Sequence, residues 1–279
     1  MTRRELLPAI AGCAAAAALS APSGGRLKQS VTGAPFRGSG MDLDAMARTA
    51  AEMGFLGFDL IGAKDFPTLK KYGLIPTMVP VPGMSIADGI NDPANHNRFE
   101  KAVLQTVDDA AAARAPNVII LSGNRRGMPD SEGLDHCVTF FNRVKRHAED
   151  KGVTLCMELL NSKVDHKDYM CDHSSFGVEV CRRVDSPRVK LLYDIYHMQI
   201  MEGDIARTIR ADIQFIGHFH TGGNPGRHEI DGSQELNYRF VAGAIADAGF
   251  GGYAAHEYTP AVGDNWRRSL EQAKAIFTV

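Results

Sequence analysis

The chain has 279 residues, with 31 Lys and Arg against 33 Asp and Glu, for a formal net charge of −2. That balance lacks the basic footprint of a nucleic-acid-binding domain, and five cysteines in this length are too few for a disulfide scaffold. At roughly 100–200 residues per domain the length suits one large or two small domains, and a single α/β barrel needs about 250 residues.

The first segment stands apart. Arg3 and Arg4 precede an Ala-rich apolar stretch that ends in Ala18, Leu19, Ser20 and Ala21. A charged start, an apolar run and small residues at a cut site predict an export signal over residues 1–20, with paired arginines of the twin-arginine type. The expected location is therefore periplasmic. The apolar run is shorter than the ~20 residues that span a bilayer, so no stable membrane insertion is expected after cleavage. An ordinary Ala-rich helix is the alternative reading. Ile10, Ala11, Gly12 and Cys13 resemble a lipoprotein cleavage box, but much of the apolar run follows Cys13, which disfavours a lipid anchor there. The remaining cysteines, Cys137, Cys156, Cys171 and Cys181, form no CxxC pair and read as free thiols in packed positions.

From residue 27 onward, short runs rich in Val, Ile and Leu alternate with amphipathic stretches. Strands are predicted over 27–32, 57–61, 75–81, 117–122, 154–160, 189–196, 215–221 and 252–258. Helices are predicted over 43–53, 97–114, 133–149, 176–184, 205–211, 236–248 and 266–277. No long linker interrupts the series, so residues 21–279 read as a single-domain (β/α)8 TIM barrel. A doubly wound sheet would want a phosphate fingerprint after its first strand, and Thr32-Gly33-Ala34-Pro35-Phe36-Arg37 is not one.

Barrel chemistry sits where the strands end. Four consecutive strands end in a polar group with no packing reason to be there: Glu158, Asp194, His220 and Glu257, separated by 36, 26 and 37 residues. Each gap is one strand–helix unit, so the four should converge at the barrel mouth. Three carboxylates and an imidazole suit a hard-to-borderline divalent cation, Mn²⁺ or Mg²⁺, with Zn²⁺ and Co²⁺ also compatible. Without a cation the carboxylates would repel, and burial would raise their pKa values. Taken singly, each acid also reads as a helix N-cap or a surface group. His218 shares parity with His220 and reads as a packed or supporting histidine, whereas His256 has the opposite parity to Glu257 and should point away. The other histidines, His197 excepted, read as surface groups.

Three longer stretches carry a family resemblance. These are Tyr193-Asp194-Ile195-Tyr196-His197-Met198-Gln199-Ile200-Met201-Glu202-Gly203-Asp204, then Pro225-Gly226-Arg227-His228-Glu229, then Glu235-Leu236-Asn237-Tyr238. Arg26-Leu27-Lys28-Gln29-Ser30 and Gly123-Asn124-Arg125 add to them. Residues 26–279 resemble the hydroxypyruvate isomerase family of the xylose isomerase-like TIM barrels, which also include ketose 3-epimerases and endonuclease IV. The resemblance implies that Glu158 and Glu257 are metal-binding glutamates that also act as acid and base, with Asp194 and His220 completing the ligand set. It implies substrate contacts at His197, Arg227, Asn124 and Glu229. His220 departs from the Gln common in hydroxypyruvate isomerases and is closer to the epimerase pattern. Independently, the Arg227 guanidinium could grip a substrate carboxylate in two places; a loop ion pair with Glu229 is the other reading.

The expected activity is a metal-dependent aldose–ketose isomerisation of a small hydroxy-carbonyl or sugar, through an enediolate. Alternatives are a ketose 3-epimerase, a metal-dependent dehydratase or lyase on a polyol or keto-glycoside, and a non-enzymatic sugar-binding module. Endonuclease chemistry would want more histidine ligands than the second and third strands offer, so no nucleic-acid partner is expected. A homo-oligomer is compatible with the sequence. Substrate choice should fall to the loops over 81–97 and 221–235.

Overall fold

Strands that are apolar along their whole length need cover on both faces, which a parallel sheet ringed by helices supplies. The computed structural model describes residues 25–261 and 265–279 and shows that arrangement. The strands are β1 (Lys28–Val31), β2 (Gly57–Asp59), β3 (Ile75–Pro80), β4 (Asn117–Ile120), β5 (Thr154–Glu158), β6 (Val189–Asp194), β7 (Ile216–Thr221) and β8 (Tyr253–His256). All pair in parallel with their sequence neighbours, and β1 pairs with β8 to close a TIM barrel.

The helices are α1 (Leu43–Glu52), α2 (Phe66–Lys71), α3 (His96–Ala113), α4 (Asp130–Lys151), α5 (Ser174–Val184), α6 (Ile195–Met201), α7 (Ile205–Asp212), α8 (Tyr238–Asp247) and α9 (Trp266–Phe277). Side chains start several of them. Asp42 accepts from the Ala45 amide and Asn237 from the Phe240 amide, contacts worth about 1 kcal/mol each. The main apolar core lies between barrel and helices, with Phe99, Phe140, Phe141 and Tyr193 among its buried members. Inside the barrel, Met78, Ile119, Cys156 and Leu192 fill one layer. The polar side chains Ser30, Asp59, Thr77, Asn117 and His218 are also buried.

The eight predicted strands are all present, each one to three residues shorter than predicted. Two helices were not predicted. α6 follows directly on β6 with no connecting loop, and α2 is only six residues long. His96, expected at the surface, is buried: its Nε2 lies 2.8 Å from the Ile90 carbonyl and its ring packs on Phe140. The four cysteines are buried free thiols. Burial raises the Cys181 thiol to about 12 and the others further. The export signal and Cys13 lie outside the described residues. Among the described residues, no helix is long and apolar enough to cross a membrane.

Candidate active site

The four strand-end residues meet. One ligand atom from each of Glu158, Asp194, His220 and Glu257 lies within 4.8 Å of the other three. Register brings them there: Asp194 on β6 is the direct partner of His220 on β7, and Glu257 immediately follows β8. Asp194 does two jobs. Its Oδ1 accepts from the His197 amide at 3.2 Å and so caps α6, while Oδ2 faces the cluster. The helix-cap contact and a place in the cluster therefore coexist at this residue.

His220 is fully buried, with Nδ1 2.7 Å from Glu257 Oε2, 3.6 Å from Glu158 Oε1 and 3.9 Å from Asp194 Oδ2. None of these is an aligned hydrogen bond, so Nδ1 is a buried polar atom without a partner. Burial alone would lower the imidazole pKa, but the Glu257 charge and contacts with Asp59 and Glu158 hold it well above its ordinary value. The two glutamates are pushed apart. Burial raises Glu158, whereas Arg227 and His220 hold Glu257 below its ordinary value against the same burial. Three carboxylates and an imidazole whose Nδ1 is buried and unpartnered fit a divalent cation.

Arg227 reaches into this cluster. Its Nη2 donates to Asp194 Oδ2 at 2.5 Å and to Glu257 Oε2 at 2.7 Å, and its Nη1 donates to His197 Nε2 at 2.7 Å. The Tyr196 ring lies 5.3 Å from the guanidinium carbon. Arg227 has a left-handed backbone, φ 56, a conformation that costs a non-glycine residue about 1–2 kcal/mol. The charged hydrogen bonds offset that cost. Gly222 provides the space, since a Cβ there would stand 2.8 Å from Arg227 Cγ. His197 is buried, and burial together with the Arg227 charge lowers its pKa well below the ordinary value, so the ring is neutral. The Asn161 amide lies 2.6 Å from its Nδ1.

The other two expected contacts are placed apart from this cluster. Glu229 does not pair with Arg227; both its carboxylate oxygens accept from the Ala261 amide at 3.1 Å. Asn124 lies on the loop after β4, bridged to Tyr169, with its Oδ1 buried and unpartnered. Tyr169 in turn donates to the Glu158 carbonyl at 3.0 Å. His256 points away from the cluster, as its parity predicts, and contacts Gln29 and Thr221.

Asp59 also adjoins the cluster, beyond the residues expected from the sequence. It ends β2, is buried, and contacts both His218 and His220. Its contacts with these two histidines hold its carboxyl far below the ordinary range despite burial. Its signal was present: an acid ends an apolar strand, as at Glu158 and Asp194.

The sequence matches the family described as Xylose isomerase-like TIM barrel over residues 47–276. The chain belongs to that family. This xylose isomerase-like barrel is 36% identical over 116 residues to a 2-oxo-tetronate isomerase of Cupriavidus necator, a match covering 42% of this chain and 44% of the relative. The chain thus spans less than half of that relative's length in the match. A 2-oxo-tetronate isomerase of Pectobacterium atrosepticum is 26% identical over 227 residues, covering 76% of this chain and 85% of the relative. Among solved structures, D-psicose 3-epimerase with D-tagatose from Clostridium cellulolyticum shares the fold. The TM-score is 0.72 at 20% identity, over 90% of this chain and 96% of that one.

Proposed function

We propose that this barrel is a divalent-metal-dependent isomerase that moves a carbonyl between adjacent carbons of a small hydroxy-carbonyl or sugar substrate. One observation carries the reading: the ligand atoms of Glu158, Asp194, His220 and Glu257 converge within 4.8 Å. A cation held by these residues would supply a Lewis acid that polarises the carbonyl and offsets the charge developing beside it.

The chain's own residues handle the protons. Glu257, kept ionised by the Arg227 guanidinium, takes the proton α to the carbonyl. The C–H electron pair then forms the carbon–carbon double bond of an enediolate. Glu158, whose proton burial favours, donates to the neighbouring carbon, and a second transfer between the oxygens completes the isomerisation. A pair of acids driven apart in pKa divides the acid and base roles in this way, each role being worth about 10²–10⁴-fold. Neutral His197 and the Arg227 guanidinium orient the substrate oxygens. The two relatives named as 2-oxo-tetronate isomerases support an acyclic hydroxy-oxo acid as the substrate class.

Histidine at position 220 favours one second reading, a ketose 3-epimerase, through its likeness to the epimerase pattern. Mn²⁺-loaded protein incubated in D₂O with hydroxypyruvate and a panel of ketoses separates the two by NMR. Aldose–ketose interconversion supports the isomerase, and exchange at C3 of an unchanged ketose skeleton supports the epimerase. No exchange with any substrate rejects both.

A further inference from the structure

Beneath the cluster, a chain of buried polar groups crosses the inside of the barrel. It starts at Asn117 on β4, whose amide Nδ2 donates to the Thr77 carbonyl at 3.0 Å and whose Oδ1 lies 3.7 Å from Cys156 Sγ. A carbonyl can only accept, which settles the orientation of the amide. The same Nδ2 lies 3.3 Å from His218 Nδ1, so that ring nitrogen accepts and His218 carries its proton on Nε2. His218 Nε2 lies 2.6 Å from Asp59 Oδ2 and His220 Nε2 lies 3.1 Å from the same oxygen. The first contact is close but off line; the second is an aligned hydrogen bond. The other oxygen, Oδ1, accepts from Ser30 Oγ at 2.8 Å and from Thr77 Oγ1. Asp59 is 1% exposed, and donors from β1, β3 and β7 surround it.

We infer that Asp59 is a positioning residue that holds the His220 proton on Nε2, so that the Nδ1 lone pair faces Glu158, Asp194 and Glu257. A carboxylate offers only acceptors, so the imidazole nitrogen turned toward it must be the one that bears hydrogen. The other nitrogen then faces the four-residue cluster as a ligand. A carboxylate behind a ligating histidine fixes the ring and raises its basicity, and losing such a partner typically weakens metal binding about 10–100-fold. The inference rests on the reading of the four-residue cluster as a metal site. It also gives Ser30, in the family-like stretch of the first strand, a role in holding that carboxylate.

Asp59, His218 and His220 could also be taken as an ion site of their own, since their ligand atoms lie within 4.8 Å of one another. The hydrogen bonds argue against it. His220 Nε2 donates to Asp59 Oδ2 at 3.1 Å, so that nitrogen bears hydrogen and has no lone pair for an ion there. The second oxygen of Asp59 is already occupied by two hydroxyl donors.

The test is Mn²⁺ binding to the full chain, followed by the electron paramagnetic resonance signal of free Mn²⁺, for wild type and Asp59→Asn. Near-UV circular dichroism checks the fold. One ion per chain in both proteins, bound about 10–100-fold more weakly by a folded Asp59→Asn, supports the inference. An unchanged affinity in the folded variant overturns it while leaving the metal reading intact. Two ions on wild type, one of them lost in the variant, also overturns it, because Asp59 would then be a ligand. No Mn²⁺ binding by wild type removes the metal reading and this inference together. A second measurement needs no variant: ¹⁵N-histidine NMR of Mg²⁺-loaded wild type. Hydrogen on His220 Nε2 supports the assignment, and hydrogen on Nδ1 overturns it.

Discussion

The Arg227 guanidinium lies 2.5 Å from Asp194 Oδ2, joining a loop after β7 to the end of β6 at the centre of the barrel mouth. The same nitrogen reaches Glu257 at 2.7 Å. One cation of the chain thus balances two acids that would otherwise repel each other, and it leaves a planar donor group beside His197. A lysine would preserve the charge but not the fork. Arg227→Lys should therefore lower kcat/KM on hydroxypyruvate about 10–100-fold, the effect of losing one charged hydrogen bond of about 1.5–3 kcal/mol. On the proposed role, a guanidinium that holds substrate in ground and transition states alike puts most of the loss on KM. Steady-state kinetics of the variant check this, and an unchanged KM would remove Arg227 from the substrate contacts.

Glu158 and Glu257 differ in what surrounds them, and the difference can be tested. Both glutamates face His220, but only Glu257 also touches the Arg227 guanidinium. Glu158→Gln keeps an oxygen for a cation but cannot carry the proton. Turnover should fall at least 10²-fold while Mn²⁺ binding stays measurable. Full turnover in the Gln variant would end the acid/base assignment; loss of both turnover and Mn²⁺ binding would make Glu158 chiefly a ligand.

The barrel and most of its site were legible because strand ends are punctuated by chemistry. Glu158, Asp194, His220 and Glu257 each interrupt an apolar run at one-unit spacing, and that periodicity survives without any knowledge of contacts. Asp59 obeys the same rule, but its histidine partners lie on β7, 161 residues on at His220, beyond any local pattern. α6 was hidden for a different reason. Ile195, Tyr196 and His197 continue the apolar pattern of β6, and the turn into a helix is set by a single Asp194 side chain accepting from an amide three residues on. Arg227 was legible as a member of the candidate site, but its pairing with Asp194, 33 residues away, depends on a loop path with a left-handed residue that no local pattern specifies. His96 looked like a surface residue because its partner is a backbone carbonyl, which leaves no mark in the side-chain sequence.

Chelation gives a prediction for stability as well as for activity. A cation that binds the folded chain at a hundred times its dissociation constant stabilises it by about 2.7 kcal/mol. For a chain of this size that corresponds to about 5–10 °C in Tm. EDTA should lower the melting temperature by that amount and abolish turnover, and added Mn²⁺ or Mg²⁺ should restore both. Asp194→Asn should shrink the Mn²⁺-dependent shift, since it removes one ligand charge. A Tm indifferent to EDTA and to Mn²⁺ would count against ion binding at the cluster.

His256 should set part of the acid limit of the fold. It is fully buried between Phe55 and Phe277, with Nε2 3.0 Å from Gln29 Oε1 and Nδ1 3.0 Å from Thr221 Oγ1. The Gln29 amide donates to the Lys274 carbonyl and to Thr278 Oγ1, so its oxygen is free to accept from Nε2 and the neutral ring is satisfied. Burial depresses the pKa from 6.5 to about 3. The unfolded chain therefore binds a proton at this residue below pH 6.5 that the folded chain refuses until about pH 3. Stability from this group is complete above pH 6.5 and falls by about 1.4 kcal/mol per unit as the pH drops through that window. Urea unfolding at pH 7, 6, 5 and 4 should show His256→Gln less stable at neutral pH, through lost packing. Its decline toward acid should be shallower than wild type by up to one proton's slope. Parallel slopes in the two proteins would place the acid sensitivity in other groups.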